Sequence, residues 1–311
     1  MPRNLALDYL KMGLAISIVF LHTLIFYDFA PLLGHSLVQG LFRLAVPVFL
    51  IISGYYFFGI QDVEKYKKWL FRIAGLYLIW TLFYAPIWWT AYAFYNWLNL
   101  LYGYFVLWYL VGVLLGGSLL YVLRKCHSGL LLACALLLFL GGWAIQELGN
   151  LHVLSPVLDR RFNFAPWHRN FLLVSFPFLT VGFLLRKHRE QITARFRVKL
   201  WHVVLAFTAV LMESIANYYW ISKTEAVEQM LSLFVAAPLL FLYVLQQKIM
   251  GNNKELANLS TAIFFIHPLF IYLLKNHFIG QQTLLSFMVL LCSILAGFVL
   301  IALNKKLKYV L

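Results

Sequence analysis

The sequence predicts an all-α integral membrane protein of about ten transmembrane helices with both termini cytoplasmic; composition, segment length and charge placement each point there. Of 311 residues, 63% are hydrophobic and 12% charged, with a mean hydropathy of +0.83. An ordinary soluble domain is roughly 45–50% apolar and about 25% charged. Apolar runs of about 20 residues, enough to cross a hydrocarbon core about 30 Å thick, recur along the chain. No hydrophilic stretch between them exceeds about 20 residues, too short to fold alone. One transmembrane domain is therefore expected over residues 1–311, with no additional soluble domain.

The spans fall near Leu5–Tyr27, Leu37–Phe58, Leu70–Trp89, Tyr102–Leu123 and Gly129–Leu148, then Asn170–Leu185, Leu200–Ile221, Gln229–Leu245, Leu256–Leu274 and Thr283–Leu303. The first follows an early positive charge and has no small-residue cleavage site after it, so it is read as a retained helix. Eighteen of the 25 Lys and Arg lie on one side, in the two termini and in residues 60–72, 124–128, 186–199 and 248–254. Only Arg160, Arg161, Arg169, Lys223 and Lys275 lie on the other, while Lys11 and Arg43 lie within spans. Retained cations mark the cytoplasm, so the net charge of +14 reads as membrane orientation rather than a nucleic-acid surface. Trp88, Trp89, Tyr92, Tyr95 and Trp97 suit an interfacial belt at the outer end of the third span. Cys126, Cys134 and Cys292, an odd number in or beside apolar runs, read as small buried hydrophobes rather than a disulfide framework. No metal is expected.

Ionisable groups inside spans are costly and usually face a cavity or pathway. Asp8, Lys11, Ala15, Ile18 and His22 are spaced 3, 4, 3 and 4 residues apart and share one helix face. Lys11 and His22 are separated by about three turns, about 16 Å, so one elongated ligand can touch both. Arg43 adds a permanent cation about two turns into the second span, at about the depth of His22. Further along that span Pro47 predicts a kink and a freed carbonyl at Arg43, and Ser53-Gly54 allows close backbone approach. Each feature has a plainer reading: an Asp8–Lys11 pair, a helix-to-helix hydrogen bond for His22, ordinary membrane packing around Pro47. His267 near the middle of the ninth span is a second site member or a packing histidine, and Glu213 partners a buried cation or handles protons. Glu147 reads as a solvated helix-end residue, and Gly149–His168 as the longest outer loop, either simply solvated or receiving an acceptor.

These residues resemble the acyltransferase-3 family of membrane acyltransferases. Asn4-Leu-Ala-Leu-Asp8-Tyr-Leu-Lys11 with His22 after ten intervening residues is similar to the family's basic-x10-His signature, with Lys11 where Arg is more usual. Arg43 to Tyr55 resembles its R-x-x-x-P-x-F-F-x-x-S-G-Y pattern, with Leu50 replacing the second Phe. The basic run Lys65 to Arg72, Leu107-Trp108-Tyr109-Leu110, Phe176-Pro177-Phe178 with Gly182, and Leu259 to Pro268 extend the likeness over nearly the whole chain.

The resemblance implies an O-acyltransferase, most often an O-acetyltransferase, of the bacterial inner membrane. Its donor is a cytoplasmic acyl-CoA, usually acetyl-CoA, and its acceptor a sugar hydroxyl of an envelope or lipid-linked glycan, lipopolysaccharide among them. On that basis Lys67, Lys68 and Arg72 hold the donor's phosphates and the pantetheine arm passes Lys11. His22 acts as general base or transient acyl carrier, and Arg43 stabilises the oxyanion. Asp8, Ser53, Trp108, Tyr109, Glu213 and His267 complete the candidates, Ser53 as a less favoured acyl carrier. The competing reading is a transporter or proton- or anion-coupled permease built on the same charges; no repeat between the halves supports it.

Overall fold

The computed structural model describes residues 3–247, 249–251, 254–307 and 311. Lys248, counted above in a cytoplasmic loop, lies outside them, as does Lys308 of the tail. The chain is all-α apart from a two-residue ribbon, β1 (Arg3–Asn4) against β2 (Met250–Gly251). The helices are α1 (Leu5–Thr23), α2 (Pro31–Val38), α3 (Ala45–Phe57), α4 (Val63–Trp88), α5 (Ala93–Leu98), α6 (Trp108–Leu123) and α7 (Ser128–Asn150). They continue as α8 (Pro156–Phe162), α9 (Phe176–Lys187), α10 (Arg189–Arg195), α11 (Leu200–Trp220), α12 (Leu233–Gln246), α13 (Glu255–Leu274) and α14 (Gln282–Lys306).

Among the described residues eight helical stretches are long and apolar enough to cross a bilayer, and a ninth qualifies if α9 and α10, bent by 75°, count as one. The protein is thus a multi-pass membrane protein by helix length and composition. All ten expected runs are helical, but the eighth becomes α12, whose 14 residues reach only about 21 Å, short of a full hydrocarbon core.

The chain gathers into two compact units that interleave along the sequence. The first comprises Met1–Ala45, Ala74–Leu107 and Val244–Leu311. In it α1, α13 and α14 pack on one another around Ala15, Val19, Ile263, Leu285 and Val289, at helical i, i+4 spacing on both α1 and α14. Asn4 opens α1, its side chain accepting from Ala6 N–H while its amide donates to the Leu245 carbonyl. Trp80 lies flat on Phe265, 5.1 Å between centroids, and Tyr84 Oη donates to the Phe265 carbonyl at 2.6 Å. The aromatic cluster after α4 divides: Trp89, Tyr92, Tyr95 and Trp97 are exposed as a belt requires, but Trp88 is buried, its indole N–H on the Thr81 carbonyl.

Asp28, in the turn after α1, caps α14 from 255 residues away, accepting from Thr283 N–H at 3.0 Å and from the Thr283 hydroxyl. Slight desolvation raises its pKa, but the Thr283 hydrogen bonds outweigh it, so the carboxyl titrates below its ordinary value. A depressed folded-state pKa adds stability above the unfolded pKa and loses it as pH falls through the folded value. Asp28→Asn should therefore cost about 1 kcal/mol or less at pH 7, the site being exposed. That difference should shrink as pH falls below the ordinary aspartate range and vanish once the folded-state carboxyl is protonated, as thermal unfolding in detergent at several pH values would show.

The second unit comprises Val46–Ile73 and Trp108–Tyr243. Its centre is a crossing of α3 and α9 at backbone distance. A Cβ built on Gly54 would sit 2.0 Å from the Leu179 carbonyl oxygen, and one on Gly182 would sit 2.1 Å from that of Ile51. Without a hydrophobic force between helices in lipid, small residues that admit such approach supply the association. Phe139, Phe178 and Phe234 cluster in edge-on and tilted contacts with centroids 5.1–5.8 Å apart, and Gln146 links α7 to the turn before α12, its Oε1 accepting from Glu228 and Gln229 N–H.

Candidate active site

His22 occupies the last turn of α1, where the chain leaves the helix through two non-glycine residues at positive φ, Leu24 (57°) and Phe26 (68°). Such conformations persist only when neighbours hold them. Here the Thr23 hydroxyl meets that of Ser286 at 2.6 Å, and Phe26 N–H donates to Thr283 Oγ1 at 3.0 Å. The exit from α1, and with it the half-buried His22, is thus pinned to α14.

His267 of α13 stacks on His22, with centroids 5.6 Å apart and planes at 20°. It is fully buried, and its Nδ1 lies 3.1 Å from the Ile263 carbonyl. A carbonyl only accepts, so Nδ1 carries the proton and Nε2 of the neutral ring presents a lone pair. Nε2 is buried with no hydrogen-bond partner among the described residues. Pro268 follows, removing the N–H that would bond the Phe264 carbonyl. Phe105 closes the group, 4.6 Å from His22 and 6.3 Å from His267 between ring centroids, with φ of 50° just after Gly103 at 100°. The two histidines, 245 positions apart in sequence, therefore form one centre with an aromatic wall, and Phe105 carried no sequence signal beyond the nearby glycine.

The expected polar face of α1 points inward: Asp8, Ala15 and Ile18 are buried, and Lys11 and His22 half-buried. Arg43 lies within the second candidate span, Pro31–Phe57, as expected, but α2 stops at Gln39-Gly40 and Arg43 sits in a 3-10 turn, Leu41–Leu44, not in an α-helix. Its Nε and Nη2 both donate to Gln39 Oε1, and the turn packs on α1, with Phe42 6.3 Å from Phe20. The kink expected at Pro47 is absent because α3 starts at Ala45. A proline in a first turn lacks only an N–H that has no helical partner there anyway.

The remaining candidates lie in the second unit. Ser53 Oγ donates to the Phe49 carbonyl at 2.9 Å and receives Tyr109 Oη at 3.1 Å. Trp108 lies under Arg169, 5.1 Å from ring centroid to guanidinium, and Arg169 is ion-paired to Glu228 at 2.6 Å. Lys67, Lys68 and Arg72 are exposed on α4, whose other face buries against α6 through the Tyr66–Ser118 bond at 2.8 Å. Glu213 partners backbone, accepting from Leu231 and Ser232 N–H at 2.7 and 2.8 Å just before α12. Glu213→Ala should lower stability by about 1–2 kcal/mol, measurable as earlier thermal unfolding in detergent. Glu147, expected to be solvated, is buried, because residues 156–162 of the expected loop form α8 and pack back on α7.

A family model described as an acyltransferase domain matches residues 4–303, from the cap of α1 almost to the end of α14. The chain belongs to the acyltransferase-3 family. The match takes in both members of the His22–His267 stack and every other candidate named above. Among relatives, an amino-acid racemase of Enterococcus faecalis is 26% identical over 97% of this chain and 46% of that protein. A serine/alanine racemase of Enterococcus gallinarum is 24% identical over 98% of this chain and 46% of that protein. This acyltransferase-3 chain thus spans about half the length of the curated relatives it matches. No solved structure matches it.

Proposed function

We propose that the protein is a membrane O-acetyltransferase that moves an acetyl group from cytoplasmic acetyl-CoA to a hydroxyl of an envelope glycan on the outer side of the bacterial inner membrane. The observation that carries this reading is the stacked His22–His267 centre within a family whose model describes an acyltransferase domain. His22, the half-buried ring, takes the proton of the attacking sugar hydroxyl. The hydroxyl oxygen forms the new ester as the thioester C–S bond breaks, and the thiolate leaves to be protonated as CoA. His267, wholly enclosed, orients the His22 ring and is a positioning residue.

Arg43, steadied by Gln39, supplies the cation for the developing oxyanion, and Lys11, three turns from His22 on the same face, lines the donor's path. Lys67, Lys68 and Arg72 meet the donor's phosphates, a role suited to exposed cations that form no ion pair among the described residues. The excess of Lys and Arg in alternate loops supports cytoplasmic termini and an inner-membrane location. Purified protein in liposomes with labelled acetyl-CoA, together with mass spectrometry of envelope glycans from cells with and without the gene, tests the whole reading. It falls if no label is transferred and the glycans are unchanged.

A second reading is a transporter built on the same buried charges; the two relatives, named as racemases of amino acids, make an amino acid the first solute to try. Uptake of labelled serine or alanine into the same liposomes, without acetyl transfer, would select it.

A further inference from the structure

A cavity of about 480 Å³ opens at the bend between α9 and α10, lined by Arg186, Lys187, His188, Arg189 and Glu190 with Phe58 as its apolar wall. Three permanent cations face one carboxylate, and among the described residues Arg186, Lys187 and Arg189 form no ion pair. A loop whose charges serve only membrane orientation needs cations but no concave, organised site.

Here the site is organised. The backbone contact of Gly54 with Leu179 and of Gly182 with Ile51 locks α3 to α9, so Tyr55, next after Gly54, meets Arg186, one turn beyond Gly182. Arg186 Nη1 donates to Tyr55 Oη at 3.2 Å, and its guanidinium lies 5.3 Å from the Tyr55 ring. Tyr55 is itself buried, edge-on to Phe241 at 5.2 Å. One of five guanidinium N–H donors is thereby occupied and four remain for a ligand. His188 is held from both ring nitrogens, by Ser128 Oγ at 2.9 Å and Gln191 Oε1 at 3.1 Å. The volume suits a nucleotide-sized ligand, and fixed guanidinium groups favour phosphate oxygens.

We infer that this cavity is a phosphate-binding subsite for a soluble phosphorylated co-substrate; resting on the acyltransferase reading, that ligand is the nucleotide end of acyl-CoA, which carries both a diphosphate and a separate phosphate, so this cavity shares the donor's phosphates with Lys67, Lys68 and Arg72. An anionic lipid headgroup offers the same phosphate chemistry from another source, and the test separates the two.

The full chain is placed in phosphatidylcholine nanodiscs and titrated with labelled CoA, and in parallel its retention of phosphatidylglycerol is measured. Variants are Arg186→Gln, Arg186→Lys, and the exposed pair Lys187→Gln with Arg189→Gln, which leaves the α3–α9 contact untouched. CoA affinity should fall about tenfold or more in Arg186→Gln and in the pair, with a shallower salt dependence. Arg186→Lys should recover part of it, and the KM for acyl-CoA should rise while kcat holds. If wild type and all variants bind CoA alike, the subsite is refuted and the acyl-CoA reading survives. Variants that lose phosphatidylglycerol but not CoA assign the cavity to a headgroup and overturn the soluble ligand. Wild-type protein that binds no CoA overturns both readings.

Discussion

Replacing His22 with alanine should lower acetyl transfer by about 10²–10⁴-fold, the usual contribution of a positioned general base, with little loss of folded protein. The side chain is only half-buried, and Thr23 and Phe26 tie the exit from α1 to α14. Transfer from labelled acetyl-CoA, with thermal unfolding as the folding control, measures both. His267 should respond differently. His267→Phe keeps a ring against His22 but removes the Nε2 lone pair and the Nδ1 bond to Ile263, so it distinguishes stacking from hydrogen-bonding chemistry. If His267 acts by orienting His22, that variant retains substantial activity while His267→Ala loses it. Equal, complete loss in both would make His267 a chemical participant. Full activity in His22→Ala would remove the centre from the mechanism.

The largest structural effect should come from Gly54→Ala or Gly182→Ala. In most helices a glycine-to-alanine change is stabilising by up to about 1 kcal/mol. Here the new methyl would lie 2.0–2.1 Å from a carbonyl oxygen of the facing helix, a separation that side-chain repacking cannot relieve. Because both contacts lie on one crossing, either substitution should force α3 from α9 and cost at least about 3 kcal/mol, the upper part of the overpacking range. Yield of monodisperse protein and the midpoint of unfolding in detergent would show it. A variant as stable as the parent would mean that the helices do not meet at backbone distance. Since Gly54 and Gly182 also set Tyr55 against Arg186, any surviving variant should bind CoA more weakly.

Much of the candidate centre was legible because α-helical periodicity is local. The 3, 4, 3, 4 spacing from Asp8 to His22 fixes which side chains share a face, and that face is the inward one. Arg43 lies within the second candidate span, Pro31–Phe57, but the backbone there stops α2 at Gln39-Gly40 and tightens into a 3-10 turn, a local geometry that mean hydropathy does not record. Glu147 looked solvated because a polar stretch follows it. Its burial depends on α8 folding back over α7, a contact between segments whose affinity no single-segment property records. Glu213 looked like a partner for charge, and its partners are backbone N–H groups 18 and 19 residues away.

From sequence alone came the membrane class, the helical segments, the unusual charges within them and the family likeness, since these follow from composition, from the 1.5 Å rise per residue and from side-chain chemistry. Tertiary structure alone decided that His22 stacks on His267, that Gly54 and Gly182 meet at one crossing, and that Tyr55 grips Arg186. In a bilayer most of each helix surface is apolar, so hydropathy leaves helix pairing undetermined. Partners are selected by small residues, by aromatic edges and by a few polar atoms that must find one another, and those matches exist only once the segments are packed.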